Sequence, residues 1–357
     1  MNTLRLLLVF VAARLLAHAA APVVAADRSA TISLAAPHAA KVLILADFVA
    51  DRAGVPMQRG ENGTWIFQTG PLETGLYFYR FNVDGLIAAD PANPLRRRGT
   101  VSSILEIRGA APLPEDVDER VAHGVVHIET IPSSALWQGV KCYVYTPPGY
   151  ADSDRKYPVL YLLHGGSGDP SNWTMSGAVD VMADNFIGQG RMKEMIIVMP
   201  HAEFPRAQPY TEEARKQWLD TFESHLLQEV MPRMERTYRI KGRPEDRWLA
   251  GLSNGGSQTL HVGFRHPELF SVLAPFSTRL RDGFAADYPL LRDGAKFNAG
   301  MRLFYFACGE LDHNWEGFKS SHEGLQQLGI RHEWIASKGA HNWHNWRRYL
   351  ADLLPRL

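Results

Sequence analysis

A glycine-rich turn constrains this chain more than any other feature of its sequence. The segment Gly251-Leu252-Ser253-Asn254-Gly255-Gly256 follows an apolar, strand-like run at 248–250 and precedes a helix-forming run at 257–264. A sharp turn from strand to helix strains the backbone at its central residue and leaves space beside it for glycine alone. The pattern predicts a strand-turn-helix unit that raises the Ser253 hydroxyl above a sheet. A glycine-rich turn capped by a serine is the alternative.

The rest of the C-terminal two thirds alternates between strand and helix patterns. Apolar strand runs occupy 140–145, 159–163, 195–199, 248–250, 303–307 and 334–336. A long helix is predicted from about Glu212 to Tyr238, with an apolar residue at every fourth position from Trp218 to Met234. Strands that alternate with helices form a mostly parallel sheet covered on both faces. We therefore predict an α/β domain with the α/β-hydrolase fold over 120–357.

The segment before it has a different pattern. Strand candidates at 41–45, 64–68 and 76–83 are separated by turn signals such as Glu61-Asn62-Gly63, and no helical pattern intervenes. Short strands between such turns are typical of a small all-β sandwich. We predict a small all-β sandwich over 27–110, followed by a linker at 111–119 that is rich in proline and acidic residues.

The first 26 residues have the composition of an export signal. A short basic start leads into an apolar run at 6–16 and then an alanine-rich stretch that ends in Val24-Ala25-Ala26. This order predicts a secretory signal peptide over 1–26, and a secreted or periplasmic mature protein without membrane contact. An uncleaved membrane anchor is the alternative, although Arg14 and Pro22 interrupt the apolar residues between 6 and 26.

Charge and cysteine content exclude several classes of protein. Lysine plus arginine and aspartate plus glutamate both number 38, so no net charge favours nucleic acid as a partner. Cys142 and Cys308 are the two cysteines, both in apolar runs, and are predicted to be buried free thiols. Neither lies in a Cys/His cluster, so no metal and no cofactor is expected.

A serine nucleophile needs a base, and the base needs an acid that orients it. In the α/β-hydrolase fold the acid and then the histidine follow the serine along the chain. Asp312, shortly after the strand run at 303–307, is the predicted acid, with Glu310 as the alternative. His341, in a loop after the last strand, is the predicted base, with His344 as the alternative.

The transition state of ester hydrolysis also requires donors for an oxyanion. The backbone amide of Asn254, next to the serine, is one predicted donor. The loop His164-Gly165-Gly166-Ser167-Gly168 follows an early strand and predicts the second donor at Gly165 or Gly166. Three nearby aromatic residues, Trp173, Trp315 and Trp343, are candidates for substrate binding, with core packing as the alternative.

Motifs spread over 120–357 resemble the esterase D family, which overlaps carbohydrate esterase family 1. The matching segments are Val144-Tyr145-Thr146-Pro147-Pro148-Gly149-Tyr150, Tyr157 to Gly165, Ser171-Asn172-Trp173, 251–256, His266-Pro267-Glu268-Leu269-Phe270 and Gly339-Ala340-His341-Asn342-Trp343. The resemblance implies a triad of Ser253, Asp312 and His341. Asn254 departs from the methionine that the family often has there, but it contributes its backbone amide.

The N-terminal segment is similar to immunoglobulin-like modules that precede carbohydrate-active enzymes, including the glycogen-binding type. Ala46-Asp47-Phe48, Gly75 to Phe81 and Asp90-Pro91-Ala92-Asn93-Pro94 carry this similarity. Glucan-binding members usually have a tryptophan after the Asp-Phe pair, where this chain has Val49-Ala50-Asp51. A spacer is therefore favoured over a sugar-binding module, because sugar stacking needs an aromatic surface.

Together these features predict a secreted serine esterase that acts through an acyl-enzyme. The resemblance implies removal of feruloyl or acetyl groups from plant cell-wall polysaccharide such as xylan. A siderophore esterase of the enterochelin type and a mycolyl-type acyltransferase are alternatives. A non-catalytic carbohydrate-binding protein is the alternative from another functional class.

Overall fold

The computed structural model describes residues 20–49, 51, 53–97 and 100–357. Two compact units divide the chain, Met1–Leu113 and Pro114–Leu357. Most of the predicted signal peptide (1–19), together with Ala50 and Arg98, lies outside the described residues. Within the described ranges no helix is long and apolar enough to cross a membrane.

The first unit contains two antiparallel sheets. Its strands are β1 (Val23–Val24), β2 (Ala30–Ala35), β3 (Val42–Ala46), β4 (Val55–Pro56), β5 (Gln58–Arg59), β6 (Thr64–Gln68), β7 (Gly75–Val83), β8 (Leu86–Ala88) and β9 (Ser103–Ile107). One sheet has the order β1-β2-β6-β5; the other has the order β4-β3-β7-β8, with β9 also paired to β7. Ile32 and Trp65 from the first sheet share a core with Ile44, Phe81 and Ile107 from the second. This shared core makes the unit a β-sandwich.

The residues that carry the similarity to sugar-binding modules have structural partners in this unit. The Asp47 carboxylate accepts a hydrogen bond from the Phe78 amide at 2.9 Å. Buried Tyr79 donates to Asp90 at 2.6 Å and accepts from Asn93 at 2.9 Å. These contacts explain the motifs by internal packing and hydrogen bonding.

Strand β1 lies inside the predicted signal peptide. Val23 and Val24 pair with Thr31 and Ala30 of β2. A cut after Ala26 would therefore remove a strand from the first sheet.

The second unit is built on an eight-stranded sheet. Its strands are β10 (Val125–Ser133), β11 (Gln138–Thr146), β12 (Val159–Leu163), β13 (Ile196–Met199), β14 (Arg247–Leu252), β15 (Val272–Phe276), β16 (Leu303–Gly309) and β17 (Glu333–Ser337). Their order is β10-β11-β13-β12-β14-β15-β16-β17. The pairs β10-β11 and β11-β13 are antiparallel, and every pair from β12-β13 to β16-β17 is parallel. The predicted α/β fold, with a β-sandwich before it, is confirmed.

Helices connect the parallel strands. They are α1 (Asn172–Met175), α2 (Val179–Gly188), α3 (Glu212–Ser224), α4 (Met231–Thr237), α5 (Asn254–Arg265), α6 (Gly294–Gly300), α7 (Trp315–Gln327) and α8 (Trp343–Leu353). A π-helical segment, His225–Val230, joins α3 to α4, so the long helix predicted from Glu212 is continuous but changes its hydrogen-bonding pattern midway. The five apolar residues at its predicted positions 218, 222, 226, 230 and 234 are buried.

Two strands of the second unit were not predicted, and each has a physical reason. Strand β15 contains Pro275, and a proline inside an apolar run argues against a strand when the sequence is considered alone. Strand β10 lies at the sheet edge with several exposed side chains, and it lacks a long apolar run.

Both cysteines, Cys142 and Cys308, are buried and free, as predicted.

Part of the predicted linker makes specific contacts within the second unit. The Asn185 side-chain amide donates to the carbonyl oxygens of Pro114 and Asp116, both at 2.8 Å. Glu115 accepts from the buried Arg347 guanidinium at 3.3 Å. These residues are thereby fixed to α2 and α8.

Candidate active site

Ser253 occupies the turn between β14 and α5. Its backbone has φ 55° and ψ −116°, outside the regions that most side chains adopt. The surroundings hold it there, since the Ser253 amide donates to the Phe276 carbonyl of the neighbouring strand at 2.8 Å. Strain of this kind is maintained only when packing enforces it, and it is typical of functional turns.

Two glycines allow this turn to pack closely. A Cβ on Gly251 would lie 2.5 Å from the carbonyl oxygen of Gly255, and a Cβ on Gly255 would lie 2.4 Å from the carbonyl oxygen of His164. No side chain fits at such distances. The turn therefore presses against the loop that follows β12.

The structure brings the three residues of the predicted triad together. His341 Nε2 lies 3.0 Å from Ser253 Oγ, and His341 Nδ1 lies 2.8 Å from Asp312 Oδ2. The Asp312 side chain is fully buried, and the His341 ring keeps 14% of its surface exposed. A hydroxyl, an imidazole and a carboxylate in this chain of hydrogen bonds form the arrangement that activates a serine nucleophile.

Asp312 is held as an ionised carboxylate. Burial alone raises its pKa, but hydrogen bonds from His341, the Asn314 amide and Ser277 outweigh burial and hold the pKa below its usual range. Glu310, the alternative acid, is exposed. His344, the alternative base, lies in the first turn of α8, whereas the ring within hydrogen-bonding distance of Ser253 belongs to His341.

Sequence reasoning missed the residues that support His341 and Asp312. Buried Asn345 donates to the Ala340 carbonyl at 3.3 Å and to the Tyr349 hydroxyl at 2.8 Å, which anchors the loop that carries His341. Ser277 Oγ, beside Asp312, accepts from Trp346 Nε1 at 2.8 Å. Asparagine and serine are common at helix starts and strand ends, so their types gave no signal of this role.

The predicted oxyanion loop lies against the nucleophile. A Cβ on Gly165 would come within 3.2 Å of the Ser253 Cβ, and one on Gly166 would come within 2.3 Å of the Asn254 side-chain nitrogen. The loop therefore runs beside Ser253 and Asn254. This proximity fits the predicted donors, whose hydrogen bonds to an oxyanion form only with substrate bound.

His164 fixes the start of this loop. Its Nε2 accepts a hydrogen bond from the Ala202 amide at 3.0 Å, so the proton of the neutral ring lies on Nδ1, which donates to the Gly165 carbonyl at 2.8 Å. Burial lowers the pKa of His164 to about 4. A protonated ring would lose the bond from Ala202, because Nε2 could then only donate.

This shift predicts a pH-dependent stability. Because the folded pKa lies below the unfolded value of about 6.5, the unfolded state binds more protons between these two values. Stability is therefore complete above pH 6.5 and falls on acidification, by roughly 2 kcal/mol at pH 5 from this residue. His164→Gln keeps an acceptor for Ala202 without titrating. Urea unfolding at pH 7 and pH 5 should show wild type losing about 2 kcal/mol more than the variant, and equal losses would contradict the assignment.

The three predicted substrate-binding tryptophans are placed differently. Trp173 is fully buried and Trp343 is 3% exposed, so neither presents a ring face on which a substrate could stack. Their rings instead form a series of edge-to-face contacts: Trp173 on Trp343 at 5.2 Å, Trp343 on Trp346 at 5.2 Å, and Trp346 on His341 at 5.0 Å. Through Trp346, this packing supports the His341 ring. Trp315 is half-buried and stacks on Trp334.

The fold is that of the α/β-hydrolase class, and the hydrogen-bonded Ser253, His341 and Asp312 form an arrangement typical of that class. A family model described as putative esterase matches residues 133–357, more than half of the chain. The chain belongs to this esterase family. The predicted alternative of a non-catalytic carbohydrate-binding protein is therefore set aside.

Individual relatives agree with this assignment. An endo-1,4-β-xylanase/feruloyl esterase from Xylanibacter ruminicola is 27% identical over 352 residues, covering 94% of this chain and 46% of that protein. The chain thus spans about half the length of that curated relative. The structure of a CE1 ferulic acid esterase from the anaerobic fungus Anaeromyces mucronatus is 26% identical, with a TM-score of 0.58, over 68% of this chain and 93% of that one.

A third solved structure covers most of the chain. The structure of the enterobactin esterase from Shigella flexneri, determined in the presence of enterobactin, covers 92% of this chain and 92% of its own, with a TM-score of 0.69. Its sequence identity is 18%. At this level the similarity shows a common fold.

Proposed function

We propose that this protein hydrolyses esters through a triad of Ser253, His341 and Asp312. The observation that carries the proposal is the continuous chain of hydrogen bonds from Ser253 Oγ through His341 to Asp312 Oδ2. In the first step Ser253 Oγ attacks the carbonyl carbon of the ester while its proton passes to His341 Nε2. The C–O bond to the alcohol then breaks, and His341 returns the proton to the departing alcohol.

The second step regenerates the enzyme. Water attacks the acyl-enzyme carbonyl and gives a proton to His341 Nε2, the bond to Ser253 Oγ breaks, and the serine recovers that proton. Asp312 keeps the imidazole proton on Nδ1, so that Nε2 remains free to accept. The Asn254 amide and the Gly165 or Gly166 amide stabilise the negative oxygen in both steps.

The proposed substrate is a feruloyl or acetyl ester on plant cell-wall polysaccharide. Supporting this choice, the relative from Xylanibacter ruminicola, whose name joins xylanase and feruloyl esterase activity, aligns with 94% of this chain. The ferulic acid esterase from Anaeromyces mucronatus aligns with 68% of it. A second candidate, a siderophore esterase, is favoured by one observation: the enterobactin esterase structure covers 92% of this chain with a TM-score of 0.69.

A substrate panel distinguishes the two candidates. We expect kcat/KM for a feruloylated arabinoxylan oligosaccharide to exceed that for enterobactin by roughly tenfold or more, since a site shaped for one acyl group and its alcohol rejects another by lost contacts. Acetylated xylan, methyl ferulate and 4-nitrophenyl acetate complete the panel and report on acyl and alcohol selectivity separately. Faster hydrolysis of enterobactin would overturn the polysaccharide assignment in favour of the siderophore.

We further propose that the protein is exported and that its leader is cleaved before β1. The pairing of Val23 and Val24 with β2 supports a cut upstream of these residues. Ala17-His18-Ala19 provides a small-x-small sequence there. N-terminal sequencing of the mature protein tests this position.

A further inference from the structure

A second histidine lies beside the proposed base. The His313 and His341 ring centroids are 4.3 Å apart, and His313 Nδ1 lies 3.4 Å from Asp312 Oδ1. Half of the His313 side chain is exposed, whereas Asp312 is fully buried. An ion from solvent can therefore reach Asp312, His313 and His341 from the exposed side, where His313 lies.

We propose that Asp312, His313 and His341 form a zinc-binding site through which Zn²⁺ inhibits the enzyme. One donor atom from each residue lies within 4.8 Å of the other two. Two imidazoles and one carboxylate are a ligand set that zinc accepts, with water as the fourth ligand. The ion acts here as an inhibitor and takes no part in the hydrolysis proposed above.

The distances require only small movements. Zinc binds nitrogen and carboxylate oxygen at about 2.0–2.2 Å in a tetrahedral site, which places neighbouring donor atoms about 3.3 Å apart. The separation between Asp312 Oδ2 and His341 Nδ1 is 2.8 Å and must open slightly. His313 makes the larger adjustment, which its exposed position permits.

Zinc at this position would remove the base from the triad. When the ion binds His341 Nδ1, the proton of that nitrogen moves to Nε2, because a neutral imidazole carries one proton. Nε2 then cannot accept the proton of Ser253. Coordination at Nε2 would occupy the same lone pair directly, so binding through either nitrogen stops proton transfer.

A second cluster of possible ligands in the described residues shows why this one is preferred. Asp220, Glu223 and His261 also bring donor atoms within 4.8 Å of one another. Arg265 already supplies a cation there, at 3.1 Å from Asp220 and 3.0 Å from Glu223. Asp312 has no arginine or lysine among the ion pairs that the structure shows for it, and its partners in those pairs are the two histidines.

The test measures binding and inhibition separately on the full chain. Calorimetric titration of zinc chloride into Ser253→Ala reports binding without catalysis. Inhibition of 4-nitrophenyl acetate hydrolysis by zinc chloride is measured on the wild type, and only this readout rests on the proposed function. His313→Gln removes one ligand on an exposed loop, and His123→Gln is the matched control. His123 is 45% exposed and lies 3.0 Å from buried Asp184, but no second histidine contributes to a metal-ligand group there in the described residues.

We expect one zinc ion to bind per chain and zinc to inhibit hydrolysis in the micromolar range. His313→Gln should weaken zinc binding and zinc inhibition by roughly 10- to 100-fold each. His123→Gln should respond to zinc like the wild type. Magnesium and calcium should have no effect at the same concentrations, because they prefer sites made of oxygen atoms alone. The proposal is overturned by calorimetry that detects no zinc binding up to millimolar concentration, or by equal zinc sensitivity of His313→Gln and wild type. Zinc binding in an esterase-inactive wild type would instead contradict only the proposed function.

Discussion

Replacing Ser253 with alanine is expected to lower kcat for 4-nitrophenyl acetate by about a millionfold. The substitution removes the atom that is proposed to form the acyl-enzyme bond, and His341 has no other hydroxyl within the hydrogen bonds that the structure shows for it. Residual hydrolysis would come from the oxyanion donors and substrate binding alone. The measurement is steady-state kinetics on purified protein. The urea unfolding midpoint should stay close to that of the wild type.

A matched control lies one helical turn away. Ser257 Oγ forms a hydrogen bond with Thr278 at 2.8 Å and does not contact His341 in the described hydrogen bonds. Ser257→Ala should therefore retain kcat within a few-fold. A fluorophosphonate probe should label wild type and Ser257→Ala at Ser253 but leave Ser253→Ala unlabelled. Activity above about 1% of wild type in Ser253→Ala would contradict the assigned nucleophile.

Asp312→Asn is expected to lower kcat by about ten-thousandfold. The asparagine amide can present its nitrogen to His341 Nδ1 as a hydrogen-bond donor. The imidazole proton then lies on Nε2, the nitrogen that faces Ser253. The ring then faces the hydroxyl as a donor when catalysis requires an acceptor. The loss should appear in kcat, with KM nearly unchanged, because Asp312 is fully buried and is proposed to act through His341.

Glu310→Gln provides the comparison that decides between the two candidate acids. Glu310 lies two residues earlier and is exposed, so its loss of charge should change kcat by less than about twofold, as expected for a screened surface charge. Unfolding curves for both variants distinguish a catalytic loss from a loss of folded protein. A large kcat defect in Glu310→Gln together with an active Asp312→Asn would assign the acid to Glu310.

The α/β fold was predictable because its central strands are buried on both faces. Runs such as 159–163 are apolar throughout, and the glycines around Ser253 specify a turn that few folds use. Strand β15 was not predictable by the same reasoning, because Pro275 opposes it locally. Pairing with β14 and β16 on either side overrides that local preference.

The sequence left two roles open for the aromatic residues near the predicted site, substrate binding and core packing. Composition and position alone could not distinguish a ring that stacks on substrate from one that packs under a catalytic loop. Trp173 and Trp343 are buried and support His341 through Trp346. Burial is a property of the whole fold, since it depends on elements that lie far apart in the chain.

Local patterns of residue type specify the turn at Ser253, the order of Ser253, Asp312 and His341 along the chain, and the fold class. Tertiary structure decided which acid meets the histidine, since residues 253, 312 and 341 converge only when β14, β16 and β17 align in parallel. It also placed His313 against His341 and Asn345 beneath the histidine loop. Such contacts join residues from separate elements, and their distances are set by packing that no local pattern encodes.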